Sequence, residues 1–287
     1  MARRAPAVER AIAVLNHLAA HPDDKLTLSE LARDLSLNKA TLHAILNGLA
    51  DAGYLVRDPA RKSYGLGPAL VALGNASAAS LPAVDYALPE MQGLTDELGL
   101  DCVASSVIHD EIVILARTGT PTPFGVYVLP GQRLPLSPPV GTVFVAWSDD
   151  DEVDRWLAKL GSSVGKKELD RHRRSLDAVV SRGYSVGLEG GGRAARSSGG
   201  RPLTLQESIR GLRTEEYSLI QLDPGPTYRA NHIGAPVFGP DGVVAIALFI
   251  IGFPGPISGK DVDRIAEKLK GAAERVTKGI HGRAPEG

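Results

Sequence analysis

Residues 27–66 read TLSELARDLSLNKATLHAILNGLADAGYLVRDPARKSYGL, and their punctuation decides the fold of the first part of the chain. Thr27-Leu28-Ser29-Glu30 is a capping box: the threonine oxygen can accept the backbone N–H of Glu30 while the glutamate reaches back to Thr27. A short helix, LSELARDL, follows and buries Leu28, Leu31 and Leu35. Ser36-Leu37-Asn38 makes a turn, and Asn38 is a good N-cap for the helix KATLHAILNGLADA. There Leu42, Ile45, Leu46 and Leu49 fall at i, i+3, i+4 and i+7 and form a buried stripe. Gly53 closes that helix as a C′ glycine. Tyr54-Leu55-Val56, the turn RDPARK and Ser63-Tyr64-Gly65-Leu66 then read as a hairpin. Upstream, Val8, Ile12, Leu15 and Leu18 recur at helical spacing over residues 8–21. Three short helices and a hairpin describe a winged helix-turn-helix.

The rest of the chain has another character. The alanine-rich segment 67–80 reads as a connecting helix ended by Pro82, and VDYALPEMQGLTDELGL as a further helix. DCVASSVIHDEIVILAR alternates around His109-Asp110-Glu111 and predicts a hairpin. Ser148 can cap DDEVDRWLAKL, with Val153, Trp156, Leu157 and Leu160 on one side, and KKELDRHRRSLDAVVSRGY is a helix closed near Gly183. HIGAPVF, the turn Gly239–Gly242 and VVAIALFIIG form a second, more deeply buried hairpin. The final helix has Val262, Ile265, Leu269, Ala272, Val276 and Ile280 on its core side. Antiparallel hairpins with helices grouped around them make the fold α+β in two domains: residues 1–66, a connecting helix 67–80, and a sensor-like domain 81–287. Within the last, the glycine- and arginine-rich stretch about 188–229, containing GGGRAARSSGGRP, is expected to be a mobile insertion.

With 287 residues, 43% hydrophobic and 23% charged, the chain has the length for two domains and the make-up of a folded protein. No apolar run reaches the ~18 residues that cross a bilayer, and the N-terminus lacks the unbroken apolar core of a signal peptide, so the expectation is a cytoplasmic protein with no membrane partner. The single Cys102 excludes a disulfide framework. A formal charge of −1 gives no whole-molecule attraction for nucleic acid, so DNA binding must come from a local surface.

That surface is offered by the third helix. Its buried stripe leaves Lys39, Ala40, Thr41, His43, Ala44 and Asn47 facing outward. A recognition helix enters the major groove by its N-terminal end, so Lys39, Thr41 and His43 are placed to meet bases and phosphates. Asn47 can read adenine in a bidentate manner. Arg57, Arg61 and Lys62 give the hairpin the chemistry of a wing lying on the DNA backbone. Residues 1–66 hold nine Lys and Arg against seven Asp and Glu, a net of +2.

The run RAIAVLNHLA…LTLSELARDLSLNKATLHAILNGLADAGYLVRDPARKSYGLGPALVALG resembles the DNA-binding half of an IclR-type bacterial transcription regulator. GQRLPLSPPVGTVFVAW, LDAVVSRGYSV and HIGAPVFGPDGVVAIAL resemble successive signatures of that family's effector-binding domain. The resemblance implies a homodimer or homotetramer on a double-stranded DNA operator, and a C-terminal domain related to GAF and PAS folds that binds a small-molecule effector. It puts the effector site around Leu134, Leu136, Pro139, Val140, Gly141, Gly187, His232, Phe249 and Ile251.

The departures from the family carry information. Ala40 and Ala44 stand where serine and arginine are common in the recognition helix. In the sensor half, Gly187 stands where the family has an acidic residue, His232 where a cysteine is common, and Phe249 and Ile251 where serines are usual. With polar anchors replaced by apolar groups, the expected effector is a rather hydrophobic molecule with a single polar substituent, and the site an apolar cavity in which His232 is the only ionisable group.

Catalytic patterns fare poorly. Gly190–Ala195 fits G-x-G-x-x-A, but RSSGGRP follows where a helix is required. Gly259-Lys260 lacks the remainder of a phosphate loop, and G-x-S-x-G is absent. His17 and His21 lie four apart without a third ligand, and are read as a solvated or dimer-facing surface. Cys102, Trp147 and Trp156 are read as core, and His232 either as a satisfied core histidine or as an effector contact. No catalytic residue, cofactor or metal is therefore assigned. The function expected is that of a ligand-responsive regulator, acting as a repressor. The alternatives are an enzyme-like small-molecule domain fused to a DNA-binding head, or a protein-interaction adaptor.

Overall fold

The computed structural model describes residues 5–21, 24–78, 81–119, 128–162, 164–189 and 217–285. The chain forms two compact units, residues 1–81 with 130–132 and residues 82–129 with 133–287. The segment expected to connect two domains is counted with the first.

In the first unit, α1 (Pro6–Ala20), α2 (Leu28–Asp34) and α3 (Lys39–Asp51) are followed by β2 (Leu55–Asp58), β3 (Ser63–Leu66) and α4 (Ala69–Ala78). A short β1 (Leu26–Thr27) pairs with β3, giving a three-stranded sheet in the order β1-β3-β2. The capping box forms as its residues dictate: the Glu30 carboxylate accepts the Thr27 N–H at 2.8 Å and the threonine oxygen accepts the Glu30 N–H. Asn38 caps α3 by accepting the Thr41 N–H at 2.8 Å, and Gly53 follows with φ +75°. Leu42 and Leu46 are fully buried with Val14, Leu18, Leu31 and Leu55, each such side chain stabilising the unit by ~1.5–3 kcal/mol relative to exposure. Of the α1 residues at helical spacing, Leu18 is buried and Leu15 packs beside it together with Val14, whereas Val8 and Ile12 are 56% and 49% exposed.

The second unit is built on a six-stranded antiparallel sheet of β4 (Asp101–Ile108), β5 (Glu111–Thr118), β6 (Arg133–Pro135), β7 (Ser185–Leu188), β9 (Ala230–Phe238) and β10 (Val244–Ile251). The strand order is β6-β5-β4-β10-β9-β7. Side chains alternate across it. Ile233, Ala235, Val237, Leu248 and Ile250 point to one face, where α5 (Pro82–Leu98) and the final helix α9 (Gly259–Gly279) bury them with Met91, Val262, Leu269 and Val276. The opposite face carries His232, Gly234, Phe249, Ile251 and Val103. Over it lie α6 (Thr142–Val145), α7 (Asp150–Ala158) and α8 (Lys166–Arg182), packed around Trp156 and Leu176. Both faces are covered, so VAIALFII reads as a continuous apolar run.

The N-cap of α7 is Asp149, whose carboxylate accepts the Glu152 N–H at 2.8 Å, and not Ser148. The C-terminal part of the expected mobile insertion is ordered. Leu188 N–H donates to Tyr217 O and Leu219 N–H to Val186 O, so residues 217–219 extend the sheet beyond β7. Beyond them β8 (Thr227–Tyr228) pairs with β11 (Ile257–Ser258). These residues alternate inward Tyr217 and Leu219 with outward neighbours, which satisfies their backbone groups and rules out a loose loop. GGGRAARSSGGRP lies outside the described residues.

Candidate functional site

The burial of Leu42 and Leu46 fixes the rotation of α3 and turns Lys39, Ala40, His43, Ala44 and Asn47 to solvent, with Thr41 half-buried beside the cap. Asn47 Nδ2 and His43 Nδ1 are 3.4 Å apart, one helical turn removed from each other on that face. In the wing, the Asp58 carboxylate accepts the N–H groups of Ala60 at 2.9 Å and Arg61 at 3.1 Å. Those bonds, the one from Arg61 foremost, hold the Asp58 carboxyl below its ordinary value. They also set the turn from which Arg57, Arg61 and Lys62 project, all three exposed. Among the described residues, no ion pair engages Lys39, Arg57, Arg61 or Lys62. The face thus presents cations and two amphoteric side chains on a rigid helix and its adjoining turn, the combination that meets phosphates and base edges.

The second unit contains a cavity of about 130 Å³. Its floor is the inner face of the sheet: Val103, Ile112 and Ile114 from the first hairpin, and His232, Phe249 and Ile251 from the second. Its walls come from Leu134, from Pro139–Val143 and from Val128. Eight of the nine effector positions expected from the family resemblance line this one cavity: Leu134, Pro139, Val140, Gly141, Gly187, His232, Phe249 and Ile251. Leu136 does not. It is a core residue whose side chain fills the space where a Cβ at position 141 would sit, so it stands behind the wall.

The wall is pinned from outside. Trp156 Nε1–H donates to Val140 O at 3.1 Å, and Lys159 Nζ donates to Leu136 O at 2.7 Å and to Asp110 at 2.8 Å. On the other side, Arg117 forms a buried ion pair with Asp101 at 2.6 Å and donates to Val128 O at 2.8 Å, fixing Val128 at the cavity edge.

The expectation of one convergent polar group in the cavity is overturned. Tyr217 OH lies 3.1 Å from His232 Nδ1 and accepts a hydrogen bond from Asn231 Nδ2 at 3.4 Å, and all three residues line the cavity. The His232 ring meets Phe249 edge-on, with centroids 5.4 Å apart. It also lies so close to Gly187 that a Cβ there would overlap it, so any side chain at this position would displace the ring. Desolvation alone lowers the His232 pKa, to about 4, and it pushes Tyr217 up to about 12. Both groups are therefore neutral near pH 7. Ser105 Oγ, fully buried on β4, lines the cavity without a hydrogen-bond partner. Among the described residues, no Lys, Arg, Asp or Glu lines it.

Tyr217, Asn231, Ser105 and Arg117 escaped the sequence reading. The alternation Tyr217-Ser218-Leu219 was a short strand signal, but the glycine-rich run before it masked it. His17 and His21 are both half-buried, their rings tilted against each other at 4.5 Å, with His21 Nδ1 against His17 O at 2.8 Å and His17 Nε2 3.6 Å from Asp34. Cys102 is fully buried, and desolvation raises its thiol to about 12, which removes it as a nucleophile. Trp156 is core, and Trp147 packs edge-on against Phe238 at 5.2 Å. Among the described residues, no helix is long and apolar enough to cross a membrane.

Comparison with known proteins bears on both regions. Residues 7–59 match the IclR helix-turn-helix domain. The glycerol operon regulatory protein of Streptomyces coelicolor is 31% identical over 196 residues, 66% of this chain and 75% of that one. The DNA-binding transcriptional repressor YiaJ of Escherichia coli is 32% identical over 130 residues, and the match spans only 44% of either chain. In fold, the chain is similar to an IclR transcriptional regulator from Alicyclobacillus acidocaldarius, with a TM-score of 0.71 at 24% identity, covering 97% of this chain and 100% of that one. It is also similar to an IclR homologue from Microbacterium hydrocarbonoxydans solved with 4-hydroxybenzoate, with a TM-score of 0.63 at 17% identity, covering 95% and 98%.

Proposed function

The chain belongs to the IclR family of transcription regulators, a DNA-binding regulator and not an enzyme, and on that footing we propose that it is a ligand-responsive repressor. A homodimer or homotetramer of it binds an operator through Lys39, Thr41, His43 and Asn47 on α3 and through Arg57, Arg61 and Lys62 on the wing. The observation that carries this reading is the outward face of α3: it is fixed by the buried Leu42 and Leu46, and among the described residues no ion pair engages its Lys39 or the Arg57, Arg61 and Lys62 of the wing. A symmetric oligomer reads a near-palindrome, with half-sites related by a two-fold axis.

The cavity of the second unit is the effector site in this reading, and Leu134, Pro139, Val140, Gly141, Gly187, His232, Phe249 and Ile251 contact the effector. Its walls, apolar but for a few uncharged groups, favour a hydrophobic metabolite, and its volume is near that of a protein cavity known to hold one benzene ring, about 150 Å³. The 4-hydroxybenzoate in the Microbacterium protein supports a one-ring occupant for this fold. Binding shifts DNA affinity through a coupling of ~1–3 kcal/mol. The test is retardation of the DNA upstream of the protein's own gene, followed by footprinting with and without compounds found by thermal-shift screening. A symmetric footprint, weakened by a hydrophobic hit, is expected. Absence of retardation, or a footprint on a single unsymmetrical half-site, would overturn the DNA assignment. Hits confined to small dicarboxylates or oxo-acids would overturn the hydrophobic effector.

A further inference from the structure

We propose that the cavity selects a neutral carbonyl oxygen, that of a ketone, aldehyde or ester on an apolar, ring-sized body, and that His232 Nε2–H is the group that donates to it. The inference rests on the reading of the cavity as the ligand site and adds the chemical class of its occupant.

The hydrogen-bond chain that ends on His232 has a direction set by its first donor. Asn231 Nδ2 is a donor only, so at 3.4 Å it gives its proton to the Tyr217 oxygen. The tyrosine O–H is then free to donate in turn, and the acceptor within reach is His232 Nδ1 at 3.1 Å. A neutral imidazole that accepts at Nδ1 carries its proton at Nε2. The chain Asn231 to Tyr217 to His232 thereby fixes one tautomer. The ring has no freedom to turn away, held between the Gly187 backbone on one side and the Phe249 ring on the other. Nε2 has no hydrogen-bond partner among the described residues, and His232 lines the cavity. The outcome is an oriented, uncharged donor beside an apolar floor.

An uncharged donor discriminates by charge. A carbonyl oxygen accepts from Nε2–H and leaves no charge behind. A carboxylate would bring a full negative charge against Val103, Ile114, Phe249 and Ile251, where its desolvation needs a countercharge. The hydroxyls of Ser105, Thr142 and Ser218 on the wall are also neutral. The ring could supply a countercharge only by protonation, which its desolvated setting opposes.

The experiment compares three one-ring probes of like size on the full chain at pH 7 by titration calorimetry: acetophenone, benzoate and ethylbenzene. Acetophenone is expected to bind about tenfold tighter than ethylbenzene, the value of one hydrogen bond, and at least about a hundredfold tighter than benzoate. Tyr217→Phe frees the tautomer and should abolish the preference of acetophenone over ethylbenzene while ethylbenzene still binds. Nitrogen NMR of the ring-labelled wild-type protein should show His232 neutral with its proton on Nε2, a readout independent of how the variant folds. Benzoate binding as tightly as acetophenone, or a ring protonated at Nδ1, overturns the proposal. Equal binding of acetophenone and ethylbenzene overturns it too, but leaves the cavity a ligand site. Silence of all three probes overturns the ligand site itself and the proposal with it.

Discussion

Burial of His232 without a countercharge makes the stability of the second unit pH-dependent in a defined window. The groups that face the ring are Tyr217, Asn231, Gly187 and Phe249, none of them a carboxylate. Its pKa falls from 6.5 in the unfolded chain to about 4 in the folded one. Between those values the unfolded state binds more protons, so stability rises with pH there. His232 thus gives its full contribution above pH 6.5 and loses it as the pH falls toward 4. At 1.36 kcal/mol per unit, the loss is at most about 3 kcal/mol. Both tryptophans of the chain, Trp147 and Trp156, lie in the second unit, so their fluorescence reports its unfolding in urea. With a slope near 2 kcal/mol per molar, the loss corresponds to a midpoint shift of up to about 1.5 M. His172 is also lowered by burial and contributes with the same sign, so the decisive quantity is the difference from His232→Phe, which keeps the ring contacts and removes the titration. That difference should be flat above pH 7 and close by up to about 3 kcal/mol toward pH 4. Parallel profiles for wild type and variant would refute the reasoning.

Arg61→Ala should weaken specific and non-specific DNA about equally and reduce the salt slope of log K by about one, measured by fluorescence anisotropy across salt concentrations. Asn47→Ala should instead relax base preference at one position by ~1–3 kcal/mol, read from a panel of single-base operator variants. In Gly187→Ala the new methyl overlaps the His232 ring, so calorimetry should show about 1–3 kcal/mol of destabilisation and no acetophenone binding, while DNA retardation persists. Phe249→Asp should abolish the response of the DNA complex to effector without weakening DNA binding by the free protein. It should also raise the His232 pKa by adding an adjacent carboxylate.

The first unit was legible because its determinants are local. The Thr27–Glu30 box, the Asn38 cap and the Leu42–Leu46 spacing each act within one helical turn, and each forms as its residues dictate. The misreading of α1 has the same origin. Val8, Ile12, Leu15 and Leu18 keep helical spacing, yet only Leu15 and Leu18 pack inward, beside Val14, and periodicity alone cannot say which part of an apolar stripe meets the core. In the second unit the hairpins were readable from alternation, and the family resemblance brought eight residues onto one cavity. The polar cluster was not readable. Tyr217 meets His232 only because Leu188 and Tyr217 pair across an intervening stretch of low-complexity sequence, and the pairing is decided by free strand edge rather than by neighbours in the chain.

That non-local pairing leaves one sheet with two unlike faces. Its outer face is closed by α5 and α9 with aliphatic side chains, and among the described residues every strand of the second hairpin contributes to that core. The inner face carries groups that such a core would exclude: a neutral histidine with a free donor and, on β4, a buried serine hydroxyl without a partner. An unsatisfied buried polar group costs about 1–3 kcal/mol. In the proposed reading, a ligand that accepts from Nε2–H supplies the partner that the described residues do not. A ligand can shift an equilibrium only by its differential affinity for two states. The incomplete hydrogen bonding of the inner face is a source of that difference, and a fully apolar cavity of the same shape would lack it.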